Sequence, residues 1–306
     1  MISPEARDAL TKIAEDRVRF DVPMSKHTSL RIGGMADAVA SPNSAVEVGA
    51  LLVACRRFAV PHTVIGNGFN ILVLDGGIEG LVILTNKLRL LEERPGGALR
   101  AQAGVSHASL MRLCGEKGLS GLEFGAGIPG TVGGWVAMNA GIGVREAKDV
   151  VLDIEVVSPT GRKRSHQSRD RLHFSYRSLR GLAPGSVIVS ALLSVQLADP
   201  KDVKKEVKRM LAKRAGSQPL DVPSCGSVFK NPTGDYAGRL IEAAGLKGTE
   251  HGGAQISPVH ANFIANTGGA KATDVLALIL QAQEQVKKQS GIRLQPEVRI
   301  LGREAA

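Results

Sequence analysis

The 306-residue chain has little cysteine and no long apolar run. Its three cysteines, Cys55, Cys114 and Cys225, lie far apart and form no CxxC pair, which argues against a disulfide framework and a zinc site and favours reduced thiols. The longest apolar run, Val187 to Leu197, contains polar residues and is too short to cross a bilayer. Residues 1–20 are charged throughout and lack an apolar signal-peptide core. We therefore expect a cytoplasmic protein with no membrane partner and no bound metal.

Aromatic side chains are also scarce, at 3% of residues, although the net charge is +10. A strongly basic chain is one signature of nucleic-acid binding. The basic residues nevertheless form only short groups, at residues 162–164, 204–205 and 208–209, and few rings are present to stack on single-stranded bases. We expect no nucleic-acid partner, and a basic nucleic-acid-binding protein stays as an alternative. The same charge would attract small anionic substrates such as diphosphates.

Glycine is abundant, with 36 residues in 306, or about 12% against a usual value near 7%. The glycines cluster at residues 66–80, 115–143 and 245–253, without a short period that would indicate a repeat. The sequence between the clusters is too apolar for a disordered chain. Glycine concentrated in the loops of a folded protein lets backbone N–H groups approach a ligand closely.

Hydrophobic periodicity predicts a mixture of helices and strands, and hence an α+β fold. A helix over residues 44–60 is expected to start at a capping box of Ser44 and Glu47. The apolar residues expected on its buried face are Val46, Ala50, Val53 and Ala54. Further helices are predicted over residues 106–117, 201–214 and 273–290, and strands over residues 63–65, 71–74, 81–84, 150–157, 187–197 and 292–301. A domain boundary is expected just before residue 201.

The segment from Pro223 to Pro232 concentrates polar chemistry between two prolines. Because proline fixes φ and lacks a backbone donor, we expect a rigid loop there. Gly226 leaves the backbone free to approach a ligand, and Ser227 and Lys230 could donate a proton or bind an anion. A surface turn is the alternative interpretation.

Residues 125–130 match the letters GxGxxG, which raises the possibility of a Rossmann dinucleotide site. The preceding segment, residues 118–124, is poor strand material, and Gly133 and Gly134 weaken the start of a helix. A Rossmann site is therefore disfavoured, since it requires a strand before the glycines and a helix after them. A glycine-lined loop lying along a pyrophosphate in another geometry fits better. The chain contains no GxxxxGK[ST] motif, so a Walker-type nucleotide hydrolase is also disfavoured.

Six motifs occur in an order that resembles one enzyme family. They are HTSLRIGG at residues 27–34, GNGFNILV at 66–73, GIPGTVGG at 127–134 with MNAG at 138–141, FSYR at 174–177, GSVFKNP at 226–232 and PEV at 296–298. Over residues 25–302 the series is similar to the UDP-N-acetylenolpyruvoylglucosamine reductase family, MurB, in its shorter type II form. The resemblance implies an FAD-binding region of the vanillyl-alcohol-oxidase (PCMH) type over residues 1–200, with subdomains of about 1–85 and 86–200. An α+β substrate-binding domain over residues 201–306 would follow.

The resemblance also implies a reaction. NADPH would reduce a non-covalent FAD, and hydride would pass to UDP-N-acetylglucosamine enolpyruvate, giving UDP-N-acetylmuramate for peptidoglycan synthesis. Arg177 matches the family arginine that meets the enolpyruvyl carboxylate, Ser227 the general acid that protonates carbon, and Glu297 the glutamate that helps to stabilise the enolic intermediate. The alternative enzyme is an FAD-dependent alcohol or sugar oxidase of the same fold.

Two further groups of residues are expected to bind ligands. The predicted cofactor-binding residues are Arg31, Gly66, Asn67, Gly68, Phe69, Asn70, Ile71, Gly127, Ile128, Pro129, Gly130, Thr131, Gly133, Gly134, Asn139 and Gly141. The predicted substrate-binding residues are Tyr176, Arg214, Gln218, Lys230, Asn231 and Asn262. Phe69 departs from the family, which commonly has serine there, so one hydroxyl contact to the diphosphate is absent while the backbone donors stay.

Overall fold

The computed structural model describes residues 2–305, apart from the side chains of residues 163–167. The basic group at residues 162–164 therefore lies mostly outside the described side chains. The chain forms two compact units. The first contains Met1–Phe20, Asp37–Asn67 and Gly80–Arg214, and the second contains Asp21–Ala36, Gly68–Glu79 and Ala215–Ala306.

The α-helices of the described chain are seven in number. They are α1 Pro4–Ala14, α2 Ala45–Arg57, α3 His107–Lys117, α4 Val132–Ala137, α5 Pro200–Ala215, α6 Ala237–Ala243 and α7 Ala272–Ser290. Among residues 2–305, none of these helices is both long enough and apolar enough to span a membrane.

The strands are mostly short. They are β1 Val18–Pro23, β2 Met35–Ala40, β3 His62–Ile65, β4 Ile71–Val73, β5 Ile78–Leu84, β6 Leu91–Arg94, β7 Ala98–Gln102, β8 Leu119–Ser120, β9 Gly141–Ile142, β10 Arg145–Glu146, β11 Val151–Val157, β12 Lys163–Ser168, β13 His173–Ser175, β14 Ser178–Arg180, β15 Val187–Ser194, β16 Gln196–Leu197, β17 Ser224–Ser227, β18 Glu250–His251, β19 Ala254–Ile256, β20 Phe263–Asn266 and β21 Arg299–Leu301.

The first unit is built on a five-stranded antiparallel sheet with the order β12-β11-β15-β7-β6. Its core joins the sheet to α3, α4 and α5, through residues such as Leu99, Leu110, Trp135 and Val203. A second core in this unit packs α1 and α2 together, around Leu10, Leu51 and Leu52 among others. A four-stranded sheet has the order β1-β2-β5-β3, in which β3 and β5 run parallel.

The second unit combines an antiparallel sheet of order β17-β20-β19-β18 with a parallel pair formed by β4 and β21. Its core lies under α7, whose Val275, Leu278 and Val286 are almost completely buried. Strand β17 is at the edge of its sheet. Residues 224–227 of the proline-bounded segment therefore form an edge strand instead of the predicted loop, an arrangement that proline tolerates at strand ends.

The compact units divide the chain differently from the predicted domains of residues 1–200 and 201–306. Helix α5 begins at residue 200, yet its Val203 is buried in the core of the first unit. Conversely, Leu30 and Leu72, which lie far earlier in the chain, are buried in the core of the second unit. The predicted domain and subdomain boundaries stay predictions, because the units follow packing and not chain order.

Local signals placed several helices correctly. Ser44 accepts a hydrogen bond from the Glu47 backbone N–H at 3.2 Å, as the capping box predicts. The Glu47 carboxylate does not complete the box but accepts from the Asn43 backbone N–H and from Arg17. The predicted buried face of α2 was largely wrong, since Val46 is 80% exposed. The predicted strand over residues 292–301 is reduced to β21.

Candidate active site

Thr131 has a buried hydroxyl that faces Gly66, in the first glycine-rich loop over residues 66–71. Thr131 is the N-cap residue of α4, but its side chain makes no capping hydrogen bond. Within residues 2–305 its Oγ1 atom has no hydrogen-bond partner, and it lies 2.5 Å from the position of a β-carbon built on Gly66. A buried hydroxyl without a partner is costly, so this arrangement fits a ligand acceptor such as a diphosphate oxygen.

The second glycine-rich loop, residues 125–130, lies directly before Thr131 in the chain. Gly127 and Gly130 have φ values of 79° and 105°, which non-glycine residues rarely adopt. The N–H of Ile128 donates to the carbonyl of Gly125 at 3.0 Å, so this predicted cofactor donor is used within the loop. Pro129 is exposed. The loop is thus a tight turn whose glycines permit close backbone approach.

Arg214, predicted to bind substrate, lies against this cofactor loop. A β-carbon on Gly127 would be 2.8 Å from the Cδ atom of Arg214. Burial lowers the pKa of the Arg214 guanidinium to about 10, so the group stays charged at neutral pH. A partly desolvated cation beside a glycine turn is suited to a phosphate or carboxylate ligand.

His107 supports the same loop and was not predicted as a site residue, because the sequence placed it only within the helix expected over residues 106–117. It is 3% exposed, its Nδ1 lies 3.0 Å from the Gly125 carbonyl oxygen, and its ring meets Trp135 edge to face at 4.9 Å. Burial lowers the pKa of His107 to about 4, with a smaller effect of the Arg214 charge in the same direction. At neutral pH the imidazole is therefore uncharged and donates its Nδ1 hydrogen to the loop.

Gly133, Gly134 and Gly141, three other predicted cofactor residues of the first unit, differ in how closely they are packed. A β-carbon on Gly133 would be 2.8 Å from the Cβ of Ala103, and one on Gly141 would collide with the carbonyl of Arg145. Gly134 is exposed and has open space around it apart from Thr131. Close packing alone explains the glycines at 133 and 141, whereas Gly134 leaves room for a ligand.

Arg177 occupies a strained turn. Strands β13 and β14 form a hairpin in which Ser175 pairs with Ser178, so Tyr176 and Arg177 are the two turn residues. Arg177 has a φ of 56°, a conformation that favours glycine or asparagine. Its guanidinium lies over the Tyr176 ring, 4.7 Å from the centroid. The turn therefore presents a cation and a phenol together.

Residues 68–71 of the predicted cofactor loop, which was expected over residues 66–71, belong to the second unit. Gly68 has a φ of 72° and packs against the carbonyl of His27, where a β-carbon would clash. Asn70 has a φ of 55°, and its N–H donates to the Cys225 carbonyl at 3.1 Å. Its Nδ2 donates to the carbonyl of Glu297 at 3.2 Å. The described contacts of Asn70 thus connect the loop to two other segments of the unit.

Four more predicted cofactor residues differ in their exposure. Phe69, which stands where the family commonly has serine, is 38% exposed. Asn67 is exposed as well, and Ile71 is buried at the start of β4. Arg31, also exposed, has a φ of 56°.

Ser227 and Glu297 are brought close together in the second unit, although 70 positions separate them in the sequence. Ser227 ends strand β17, and the carbonyl of the next residue, Val228, accepts a hydrogen bond from the Glu297 N–H at 2.7 Å. An antiparallel bridge between Phe229 and Pro296 continues this pairing. Both predicted catalytic side chains are partly buried. The backbone segments that carry the two predicted catalytic residues are therefore paired with each other.

Asn262 and Asn231 bind the backbone in the structure. The Asn262 amide accepts from the Phe229 N–H at 2.9 Å and donates to the Phe229 carbonyl at 2.8 Å. Asn231 Oδ1 accepts from the Ala237 N–H at 3.0 Å, at the start of α6. These contacts indicate that both asparagines hold the segment that carries Ser227 and Lys230.

Gln218 and Lys230 are the other predicted substrate residues of the second unit. Within the described chain, the Gln218 Oε1 atom is buried without a hydrogen-bond partner, which suits a ligand donor. The Lys230 backbone N–H donates to the Gln295 carbonyl at 2.9 Å, and its side chain is partly exposed. The described side chains contain no group of three or more His, Cys, Asp or Glu residues that could hold a metal ion.

Left-handed backbone conformations concentrate at predicted site residues. Among the described residues, seven non-glycine residues have positive φ: Glu15, Asp21, Arg31, Ala59, Asn70, Asn139 and Arg177. Four of the seven are predicted to bind cofactor or substrate. Strained backbone persists where the surrounding structure holds it, and such residues cluster at functional sites.

Comparison with known proteins agrees with these features. Residues 36–165 match the FAD binding domain model, and residues 218–301 match the C-terminal domain model of UDP-N-acetylenolpyruvoylglucosamine reductase. A UDP-N-acetylenolpyruvoylglucosamine reductase of Geobacter metallireducens is 44% identical over 284 residues, covering 93% of this chain and 94% of that protein. The crystal structure of the Thermus caldophilus reductase (MurB) superposes with a TM-score of 0.80 at 33% identity, covering 93% of this chain and 100% of that chain.

A more distant likeness concerns the fold alone. Phl p 4.0202, a glucose dehydrogenase, superposes with a TM-score of 0.50 at 15% identity, covering 64% of this chain and 44% of that chain. The match to the FAD binding domain model and the aligned reductases define an FAD-binding oxidoreductase, and its fold is of the PCMH type. The chain belongs to the UDP-N-acetylenolpyruvoylglucosamine reductase family. The predicted α+β fold class and the predicted resemblance are confirmed.

Proposed function

We propose that this protein reduces UDP-N-acetylglucosamine enolpyruvate to UDP-N-acetylmuramate in the cytoplasm, with NADPH as donor and non-covalent FAD as cofactor, for peptidoglycan synthesis. The observation that carries the proposal is the alignment with reductases of that name over nearly the full length of both chains. The net charge of +10 supports attraction of a substrate that carries a diphosphate and a carboxylate.

The first unit contributes the residues that would hold FAD. When bound, FAD supplies the hydride chemistry between NADPH and the substrate. Thr131 would donate its buried hydroxyl to the cofactor diphosphate, and Gly66 and Gly127 would allow the backbone to lie close to it. Arg214 would add positive charge beside the same loop.

Arg177 would bind the enolpyruvyl carboxylate. Hydride addition to one alkene carbon moves electron density toward the other carbon and the carboxylate, so a fixed cation there stabilises the developing charge. A guanidinium can make two parallel hydrogen bonds to a carboxylate and stays charged at any working pH. Tyr176, whose ring lies beneath the guanidinium, would help to hold the substrate.

Ser227 would donate a proton to the substrate carbon, and Glu297 would stabilise the enolic intermediate. A serine hydroxyl is a weak acid, so it suits protonation of a strongly basic carbanion. The hydrogen bond between Val228 and Glu297 supports this assignment, because it fixes the backbone beside both side chains. We further propose that Lys230 and Gln218 contact the substrate. Asn231 and Asn262 would position the segment that carries Ser227 and Lys230.

The test is the visible absorption spectrum of the purified protein under anaerobic conditions. We expect flavin bands that bleach on addition of NADPH and return when UDP-N-acetylglucosamine enolpyruvate is added. Bands that return only with oxygen would contradict the proposal and favour an oxidase. A protein that stays colourless after incubation with FAD would also contradict it, and salt-sensitive binding to DNA or RNA would then favour the nucleic-acid alternative.

A further inference from the structure

Asn139 is a buried polar residue whose side chain is committed to protein contacts. It is 0% exposed and has a φ of 41°. Its Nδ2 atom donates to Glu146 Oε2 at 2.9 Å and to the Ser175 carbonyl at 3.0 Å, and its Oδ1 accepts from the Lys148 N–H at 2.9 Å. An amide nitrogen has two hydrogens, and both are used. This arrangement does not fit the cofactor contact expected from the sequence.

One of these contacts reaches the turn that carries Arg177. The Ser175 carbonyl directly precedes Tyr176 and Arg177, and Ser175 pairs with Ser178 at the end of the hairpin. Arg177 adopts a left-handed conformation that arginine rarely takes, so the turn must be held by its surroundings. Asn139 supplies such a contact from outside the hairpin.

The other contacts of Asn139 connect it to the neighbouring segment over residues 146–149. Glu146 accepts from Asn139, its N–H donates to Asp149 Oδ2 at 2.8 Å, and its carboxylate forms an ion pair with Lys148 at 2.8 Å. Glu146 and Asp149 together form a capping box around a short helical turn. The amide of Asn139 therefore joins this turn to the hairpin.

We infer that Asn139 is a positioning residue for Arg177: through the Ser175 carbonyl it sets the Tyr176–Arg177 turn, and so the direction in which the guanidinium meets the substrate carboxylate. The inference rests on the proposed function, which gives Arg177 its carboxylate. It replaces the predicted cofactor role of Asn139 with a role in substrate recognition, exerted from the buried side of the hairpin.

The experiment compares two nucleotide sugars that differ by a lactyl ether group, which bears a carboxylate. UDP-N-acetylmuramate carries one, and UDP-N-acetylglucosamine does not. Their dissociation constants are measured by calorimetry on the FAD-loaded enzyme for Asn139→Gly, Arg177→Ala and the double variant. Glycine at 139 accepts the positive φ and removes all three side-chain bonds. We expect Asn139→Gly to weaken UDP-N-acetylmuramate about tenfold, a typical loss for one positioned ionic contact. Binding of UDP-N-acetylglucosamine and the FAD content should not change.

The double variant should bind UDP-N-acetylmuramate no more weakly than Arg177→Ala alone, because Asn139 acts through Arg177. If Arg177→Ala affects both ligands equally, the proposed role of Arg177 fails, and the inference fails with it. If Arg177→Ala discriminates between the ligands but Asn139→Gly does not, or if Asn139→Gly releases FAD, the inference alone is overturned.

Glu146 provides a milder pair of variants that does not disturb the backbone at 139. Glu146→Gln keeps an oxygen that can accept from Asn139 and should bind both ligands as the unmodified protein does. Glu146→Ala removes that acceptor and should weaken UDP-N-acetylmuramate about threefold, with UDP-N-acetylglucosamine unchanged. If Glu146→Ala binds UDP-N-acetylmuramate as tightly as Glu146→Gln does, the inference is overturned, even if Asn139→Gly does not fold.

Discussion

The hydroxyl oxygen of Thr131 lies 2.5 Å from the point that a β-carbon on Gly66 would occupy. The space between the two residues is therefore too small for any side chain at position 66. We expect Gly66→Ala to reduce the free energy of unfolding of the FAD-free protein by about 1–3 kcal/mol, as overpacking usually does. Urea unfolding measures this, and adding Thr131→Ala should restore most of the loss. Additive effects of the two substitutions would contradict the contact.

Removing only the Thr131 hydroxyl should separate ligand binding from folding. Thr131→Val loses a hydroxyl that has no partner in the described chain, so the FAD-free protein should be no less stable. Affinity for FAD should fall by about tenfold to a hundredfold, as expected for one hydrogen bond to a charged oxygen. Titration of the FAD-free protein with FAD provides the measurement. Thr131→Ser is the control, and equal affinity of the Val and Ser variants would remove Thr131 from the site.

Ser227→Ala should slow only one of the two half-reactions, the transfer from the reduced enzyme to the substrate. Reduction of the enzyme by NADPH does not need the proton donor and should proceed at nearly its normal rate. Transfer to UDP-N-acetylglucosamine enolpyruvate should slow by about 10²–10⁴-fold, the usual effect of losing a general acid. Stopped-flow absorbance follows the two halves separately. Glu297→Gln should show the same division, and equal losses in both halves would indicate a structural role for either residue.

His107 should make stability fall in mild acid. Its pKa is about 4 in the folded protein against 6.5 ordinarily, so the unfolded chain binds more protons between these values. The contribution is complete above about pH 6.5 and is lost as the pH falls toward 4, amounting to about 3 kcal/mol.

His107→Asn keeps an N–H near the Gly125 carbonyl but does not titrate in this range. Urea unfolding of the FAD-free variant should show a weaker dependence on pH between 4.5 and 6.5. Some stability should be lost at every pH, because the contact with the Trp135 ring disappears. An unchanged pH dependence would mean that the histidine is not held neutral by burial.

At position 177, glycine should give a more stable protein than alanine, which is the reverse of their usual order. Alanine is normally the more favourable residue, but at a φ of 56° the left-handed backbone costs a residue with a β-carbon about 1–2 kcal/mol. Arg177→Gly should therefore unfold at a higher urea concentration than Arg177→Ala, by about 1 kcal/mol in free energy. Both variants lose the contact with Tyr176, so the comparison isolates the backbone. Equal stability of the two would contradict the left-handed turn.

The sequence predicted those elements whose signals are local. Helix α3 begins after the N-cap Ser106 and ends at Gly118 in a left-handed conformation, as the cap residues indicate. The buried face of α7 also follows its periodicity. Helix α2 has apolar residues all round, so periodicity could not choose between Val46 and Leu51, and packing against α1 buries Leu51.

The candidate site was predictable in its residue types but not in its contacts. The six motifs identified Thr131, Arg177 and Ser227 through a family resemblance. Pairing of Val228 with Glu297, and the contact of His107 with Gly125, join residues that are distant in the chain, and neither pair has a local signal. Asn139 was assigned to the cofactor through the same resemblance, whereas the hydrogen bonds of its amide depend on a hairpin more than thirty residues later.

The parallel pairing of β4 with β21 has a consequence for the order of folding. Ile71 pairs with Arg299 and Val73 with Leu301, so the two strands are 228 positions apart in the sequence. Bringing such distant strands together costs loop-closure entropy before the contacts form, and pairings of this kind are slow. We therefore expect β4 and β21 to pair late, after the local helices and hairpins of the second unit.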